Sequence, residues 1–252
     1  MIQLENLTKR YGKFTAVDGV SLTIPRGELY GLLGPNGAGK TTTMRMIAGI
    51  LRPSGGRVLI AGIDIAADPI AAKRRLGFIP DRPFVYDKLT GAEFMRFVAG
   101  LYGQAGPELE RRIDELLELF ELLPWRSELT ESYSHGMRQK LIIASALLHR
   151  PDVIVVDEPM VGLDPRSARL LKDLLREFVG RGGTVLMSTH TLEIAEAMCD
   201  RIAIVHGGRI AAAGTMEELR AQTASGDASL EDLFLKLTGG LSDRVLSELF
   251  DR

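Results

Sequence analysis

The sequence predicts an α/β fold with a mostly parallel sheet, an N-terminal antiparallel β subdomain and a helical insertion. Three observations carry this. In the second half of the chain the bare apolar runs VIVV, TVLM and RIAIV alternate with helical stretches, the pattern of parallel strands covered on both faces. The first roughly sixty residues instead alternate β-like runs with turns, and Val20, Leu22 and Ile24 recur at period two, as on a sheet with one buried face. Between these regions the periodicity is helical.

Taken in order, IQLENL opens the chain, VSLTI runs into the turn Pro25-Arg26-Gly27, and ELYGLL and GRVLIAGI follow. The texture changes after Ile79. From about Thr90 to Leu123 the residues Leu109, Ile113, Leu116, Leu117, Phe120 and Leu123 fall on one stripe of a helix, which marks the insertion. From Gly136 the helix MRQKLIIASALLH, the strand VIVV, a helix after Pro165, the strand TVLM, a helix after Thr191 and the strand RIAIV succeed one another. Beyond Gly214, AQTASGDAS is small and polar, a linker composition. Two amphipathic stripes come last: Leu230, Leu233, Phe234 and Leu237, then Leu241, Val245, Leu249 and Phe250. They read as a helix pair packed on its own domain, with subunit contact as the other reading. The expected division is a main domain over 1–218, with its helical subdomain at about 88–145, and a helical extension over 219–252. No internal repeat is visible.

Composition excludes several function classes. The 252 residues carry 31 Lys and Arg against 33 Asp and Glu, so the net charge of 31 − 33 = −2 provides no surplus for coating nucleic acid. With 45% hydrophobic and 25% charged residues the chain has the proportions of a globular protein with a sizeable core. No apolar run approaches the roughly 20 residues of a membrane-spanning helix, and the start MIQLENLTKRYG has no secretory h-region. The single cysteine, Cys199, cannot form an internal disulfide, and the cytoplasm is the expected compartment.

The chemistry is concentrated in short motifs. Gly34-Pro35-Asn36-Gly37-Ala38-Gly39-Lys40-Thr41 satisfies G-x-x-x-x-G-K-[ST], follows the strand LYGLL and opens the helix TTTMRMIAGIL. Glycines let successive N–H groups turn toward one anion, and the helix N-terminus adds a favourable dipole. Lys40 would reach the β- and γ-phosphates and the Thr41 hydroxyl would ligate Mg²⁺, with Thr42 beside it. VIVVDEP ends an apolar strand in two carboxylates. Asp157 is placed to hold Mg²⁺ and Glu158 to polarise the attacking water. Two adjacent carboxylates there are costly unless a cation or hydrogen bonds compensate them. His190 ends the strand TVLMSTH, where open parallel sheets place ligands, and its imidazole could meet a γ-phosphate or a carboxylate.

In this order the motifs resemble the ATP-binding subunit of an ABC (ATP-binding cassette) transporter, from about residue 2 to residue 218: phosphate loop, helical insertion, a signature ending in S-x-G, the DEP strand end, GLDP at Gly162 to Pro165, and STH. The resemblance implies the ABC ATPase fold, a P-loop NTPase core binding ATP and Mg²⁺. It also implies roles that spacing does not show. Tyr11 in KRYGKFTAV matches the aromatic that stacks on adenine. Ser134 and Gly136 in SYSHGMRQ would meet the γ-phosphate of ATP held by the opposite subunit, and Asp164 would couple the two sites. Two departures stand out. The family's glutamine that touches Mg²⁺ and the attacking water is Asp81 in LGFIPDRP, which keeps a metal-binding oxygen but has no N–H donor. The signature carries Tyr133, His135 and Met137 where leucine, glycine and glutamine are usual.

The resemblance therefore implies catalytic roles for Glu158, His190, Lys40 and Asp81, and metal contacts from Thr41, Asp81 and Asp157. The implied partners are a second ATP-binding subunit, an identical copy in preference to a different one, and a separate transmembrane permease subunit that brings the chain to the cytoplasmic face of the membrane. An acidic residue at Asp81 favours an export system over an importer. His135 could add attraction to the γ-phosphate, with a solvent-facing side chain as the alternative. Two other readings stay open: an ABC-type ATPase acting outside transport, and a regulatory nucleotide-binding subunit with little hydrolysis. Lys40 and Ser134 are about 94 residues apart with no sustained heptads between them, which counts against the first. No nucleic-acid partner is expected.

Overall fold

Ten strands form two sheets in a computed structural model that describes residues 1–221 and 230–239. The second C-terminal stripe, from Leu241 to Phe250, and nearly all of AQTASGDAS lie outside the described residues.

Strands β1 (Ile2–Tyr11) and β2 (Phe14–Ile24) pair antiparallel; β4 (Gly55–Ile60) joins the other edge of β1 and carries β5 (Ile63–Asp64). This is the predicted antiparallel subdomain, and the period-two residues Val20 and Ile24 point into its buried face. The strand from ELYGLL, β3 (Leu29–Leu33), leaves this sheet and enters the centre of the other, whose order is β10-β9-β3-β8-β7-β6. There β6 (Leu76–Ile79), β7 (Val153–Asp157), β8 (Thr184–Thr189), β3 and β9 (Arg201–His206) run parallel, and β10 (Arg209–Gly214) closes one edge antiparallel.

Every residue of β3, β7 and β8 is buried because both faces of this sheet are covered. On one face Tyr30, Leu32, Val153, Val155 and Leu186 meet the antiparallel sheet and helix α1 (Lys40–Ile47). On the other, Leu29, Leu33, Ile154, Val156, Val185 and Met187 share a core with α5 (His135–Leu147), α6 (Pro165–Gly180) and α7 (Leu192–Met198). Between α1 and β6 lies the short α2 (Pro69–Arg74).

The insertion contains α3 (Gly91–Leu101) and α4 (Pro107–Leu119). A capping box starts α3: Thr90 Oγ1 accepts from Glu93 N at 3.2 Å, and Glu93 Oε2 accepts from Thr90 N at 2.8 Å. Ile113, Leu116, Leu117 and Phe120 bury the α4 stripe in the same core as α5, so the insertion leans on the signature helix. After α8 (Met216–Ala221), helix α9 (Leu230–Thr238) buries Leu230 and Leu233 in that core, with Phe234 and Leu237 packed against it.

Candidate active site

The parallel strands β3, β6, β7 and β8 finish on one side of the sheet, and the sequence motifs follow these ends. The loop Gly34–Gly39 links β3 to α1, and Gly37 and Gly39 hold φ values of +81° and +106° that L side chains rarely adopt. A Cβ on Gly34 would strike the Val205 carbonyl, and one on Gly39 would lie 2.5 Å from Ala16 O. Only glycine permits this tight path. Gly39 caps α1 without any side-chain bond, so the first N–H groups of the helix remain available to an anion.

Lys40 is buried, and its ammonium donates to Gly34 O at 2.7 Å and Pro35 O at 3.2 Å, with Glu158 Oε1 4.0 Å away. Burial pushes its pKa below the usual lysine value, opposed by Glu158 and Asp157. Asp157 is 1% exposed and accepts from the Ser188 and Thr41 hydroxyls. Its carboxyl is held above the ordinary range first by burial, which the two hydroxyls oppose, and then by the negative charges of Asp81 and Glu158. Next to it Glu158 has φ +49°, a left-handed conformation for a non-glycine residue, stabilised by its N–H donating to Ser188 Oγ and O, each at 3.2 Å. This turn aims the side chain at His190, whose Nδ1 lies 2.9 Å from Glu158 Oε1. An ionised carboxylate only accepts, so the proton of that bond sits on Nδ1.

Tyr11, Phe14, Ala16, Asn36, Gly37, Gly39, Lys40, Thr41, Thr42, Asp81, Glu158 and His190 line one open cleft of about 380 Å³. Pro35 and Ala38 complete the loop behind it, and Ala38 is buried. Tyr11 is half exposed at the rim, with Lys9 Nζ 5.2 Å from its ring centroid. The donors fit Mg²⁺: a hydroxyl and carboxylates, all hard oxygens, few enough to leave places for phosphate and water. A cation would relieve the crowding of the Asp81 and Glu158 charges against the buried Asp157 carboxylate.

Ser134 and Gly136 do not line this cleft. Ser134 caps α5, its Oγ accepting from Met137 N at 3.3 Å, and is exposed with His135 on the surface. The His135 ring sits over Gly162, where a Cβ would come within 2.5 Å of its Nε2. Tyr133, the other bulky departure in the signature, is buried and donates to Trp125 O at 2.7 Å; burial pushes its hydroxyl up to about 12. Asp164 caps α6 through Ser167 and the Arg166 N–H, and its carboxyl is held down to about 2, chiefly by the Ser167 hydroxyl. Sequence reasoning missed Ser188, Phe14 and Ala16. The first stood two residues before His190 and could have been found from that spacing. The other two carry no motif.

The family described as ABC transporter matches residues 17–161. The chain is 38% identical over 240 residues to the probable multidrug ABC transporter ATP-binding protein YbhF of Escherichia coli, covering 94% of this chain and 41% of that one. It is 41% identical over 224 residues to the daunorubicin/doxorubicin resistance ATP-binding protein DrrA of Streptomyces peucetius, covering 89% and 68%. Thus the chain spans less than half the length of the first relative and about two thirds of the second. Among solved structures, an ATP-binding subunit of an ABC transporter superposes with a TM-score of 0.88 at 36% identity, over 94% of this chain and 99% of that one. A dimeric ATP-binding cassette in a post-hydrolysis state with ADP and Pi superposes at 0.78 with 27% identity, over 85% and 98%.

Proposed function

The chain belongs to the ABC transporter family as an ATP-binding, ATP-hydrolysing cassette, and from that premise we propose that two copies close around two ATP molecules and drive a separate membrane permease. The observation that carries the reading is the meeting, in one cleft, of the glycine loop, Lys40, the Thr41–Asp157 hydrogen bond and the Glu158–His190 pair.

Lys40 and the loop N–H groups grip the phosphates, and Tyr11 stacks on the base. Thr41, Asp157 and Asp81 hold Mg²⁺, which when bound neutralises phosphate charge. Glu158 takes a proton from the attacking water. Its partner His190 keeps the carboxylate oriented through Nδ1 and faces the γ-phosphate with the rest of the ring. Ser134 and Gly136 serve the nucleotide of the opposite copy, which accounts for their place outside this copy's cleft; the dimeric relative with ADP and Pi supports such a sandwich. ATP shifts the open–closed equilibrium because it binds the closed dimer better, and only differential affinity can do so.

No helix among the described residues is long and apolar enough to cross a membrane; the permease of this reading is a separate chain or segment. Its docking surface is the aromatic group Phe84, Tyr86 and Phe97, which remains exposed, with Tyr86 edge-on to Phe84 at 5.6 Å and to Phe97 at 5.2 Å. The relatives named for multidrug transport and drug resistance support an export direction.

Glu158→Gln tests the reading. It is expected to bind ATP, lose roughly 10²–10⁴-fold in turnover and accumulate as an ATP-bound dimer. A monomer in gel filtration at saturating ATP and Mg²⁺ would refute the sandwich, and unchanged phosphate release would favour a regulatory subunit.

A further inference from the structure

At the opposite end of the parallel sheet, where β3, β7 and β8 begin, lies a second cleft of about 480 Å³, larger than the nucleotide cleft. Four arginines line it from four separate segments: Arg26 in the β2–β3 turn, Arg112 on α4, Arg150 after α5 and Arg181 after α6. Asp152 is the single carboxylate in the lining, and it is already bound to Arg75 at 3.0 Å. Arg181 pairs with Glu177 on its own helix, and Arg112 reaches Glu115 at 3.6 Å. Among the described residues Arg26 and Arg150 have no ion pair, and the buried Nε of Arg112 has no hydrogen-bond partner.

Arginines at the ends of α5 and α6 complement the negative poles of those helices. That accounts for Arg150 and Arg181 but not for Arg26 and Arg112, which belong to neither helix end. Arg150 also holds φ +51°, a position after a helix where glycine is the unstrained choice. Like charges brought together around a cavity repel unless an anion joins them.

We propose that this cleft is a second anion site, which takes a multiply charged phosphate group. Guanidinium forks match phosphate oxygens two at a time, and the Phe178 ring and the Pro151 side of the lining give the bound group an apolar wall. The phosphate comes either from a free polyphosphate or from an anionic lipid headgroup, and both present the same chemistry to the arginines.

The test is titration calorimetry of the full chain with inorganic tripolyphosphate in EDTA. Three proteins are compared: the native sequence, Lys40→Ala, and Arg112→Gln combined with Arg150→Gly. Tripolyphosphate binding is expected to survive Lys40→Ala and to weaken at least tenfold in the arginine double variant, which keeps native ATP hydrolysis. Co-sedimentation with phosphatidylglycerol vesicles, against phosphatidylcholine alone, separates the sources. Loss of vesicle binding in the double variant assigns the site to lipid, and vesicle indifference with tripolyphosphate binding assigns it to a free anion. Arg150→Gly alone is expected to melt no lower than the native chain, so failure of the double variant to fold is checked with Arg26→Gln and Arg112→Gln singly. Equal tripolyphosphate affinity in native and arginine-substituted proteins overturns the proposal, as does its complete loss in Lys40→Ala. Neither outcome bears on the ATPase, whose failure would appear in hydrolysis instead.

Discussion

The two ends of the parallel sheet differ in how they are made. At the C-terminal end, phosphate binding is prepared by backbone: a six-residue loop with Gly37 and Gly39 at positive φ, a helix start without a side-chain cap, and one buried lysine. At the N-terminal end, the four arginines of the cleft arrive singly from four segments. The first is rigid and directional, because loop N–H groups cannot move without changing the chain path. The second is a field of long side chains that adapts to the shape of what it binds. A parallel sheet aligns its strand ends, so one fold supplies both, and Asp81, Asp157 and Glu158 lie at the C-terminal end.

The largest test of this contrast is His190→Ala, which is expected to reduce turnover on the order of 10²–10³-fold with little change in KM; single-turnover kinetics measure it. A loss confined to KM would make His190 a binding residue only. Lys40→Ala should weaken ATP binding on the order of 10²-fold by calorimetry, whereas Arg150→Gly should leave it unchanged. An ATP-affinity loss in the second variant would mean that the two ends are energetically coupled.

Asp157→Asn probes the buried carboxylate. The folded-state pKa of Asp157 is raised above 3.8, so its contribution to stability is complete below that pH and is lost as pH rises through the folded value. At pH 7 the ionised group therefore costs stability in the nucleotide-free protein. The variant is expected to melt higher at pH 7, with the gain shrinking toward pH 4. Added MgATP should reverse the order, because only the native protein keeps the metal contact. A lower melting point for the nucleotide-free variant would mean that the Ser188 and Thr41 hydrogen bonds outweigh the burial. Tyr133→Phe lies at neither end and removes the bond to Trp125 O. It should lower the melting point by about 2–4 °C through the loss of about 1 kcal/mol and leave ATP affinity untouched.

Much of the cleft was legible from the sequence because the glycine loop, Asp81, Glu158 and His190 each follow a strand end, whereas Phe14 and Ala16, which belong to β2, carry no motif. GPNGAGKT, DEP and STH each specify a local path, and alternation of strand with helix brings their ends to one side. Less legible was β3: ELYGLL stands among strands of the antiparallel subdomain yet pairs with β8 and β9. Its five consecutive buried residues, rather than alternating ones, were the signal. The departures at Tyr133 and His135 were visible as departures, but their consequences were not. Tyr133 fastens the signature to Trp125, and His135 covers Gly162, contacts between residues 8 and 27 positions apart.

By itself, then, the sequence determined the α/β class, the helical insertion and the motif residues that the cleft brings together, because backbone conformation and burial over a few residues are properties of local composition. Only the tertiary structure decided that Ser188 steadies both Asp157 and Glu158, that Glu158 turns toward His190 through a left-handed backbone, and that Arg26, Arg112, Arg150 and Arg181 share one cleft. Those arrangements depend on the strand order β10-β9-β3-β8-β7-β6. Strand order is set by the burial of both sheet faces across the whole chain, and no short stretch of sequence carries it.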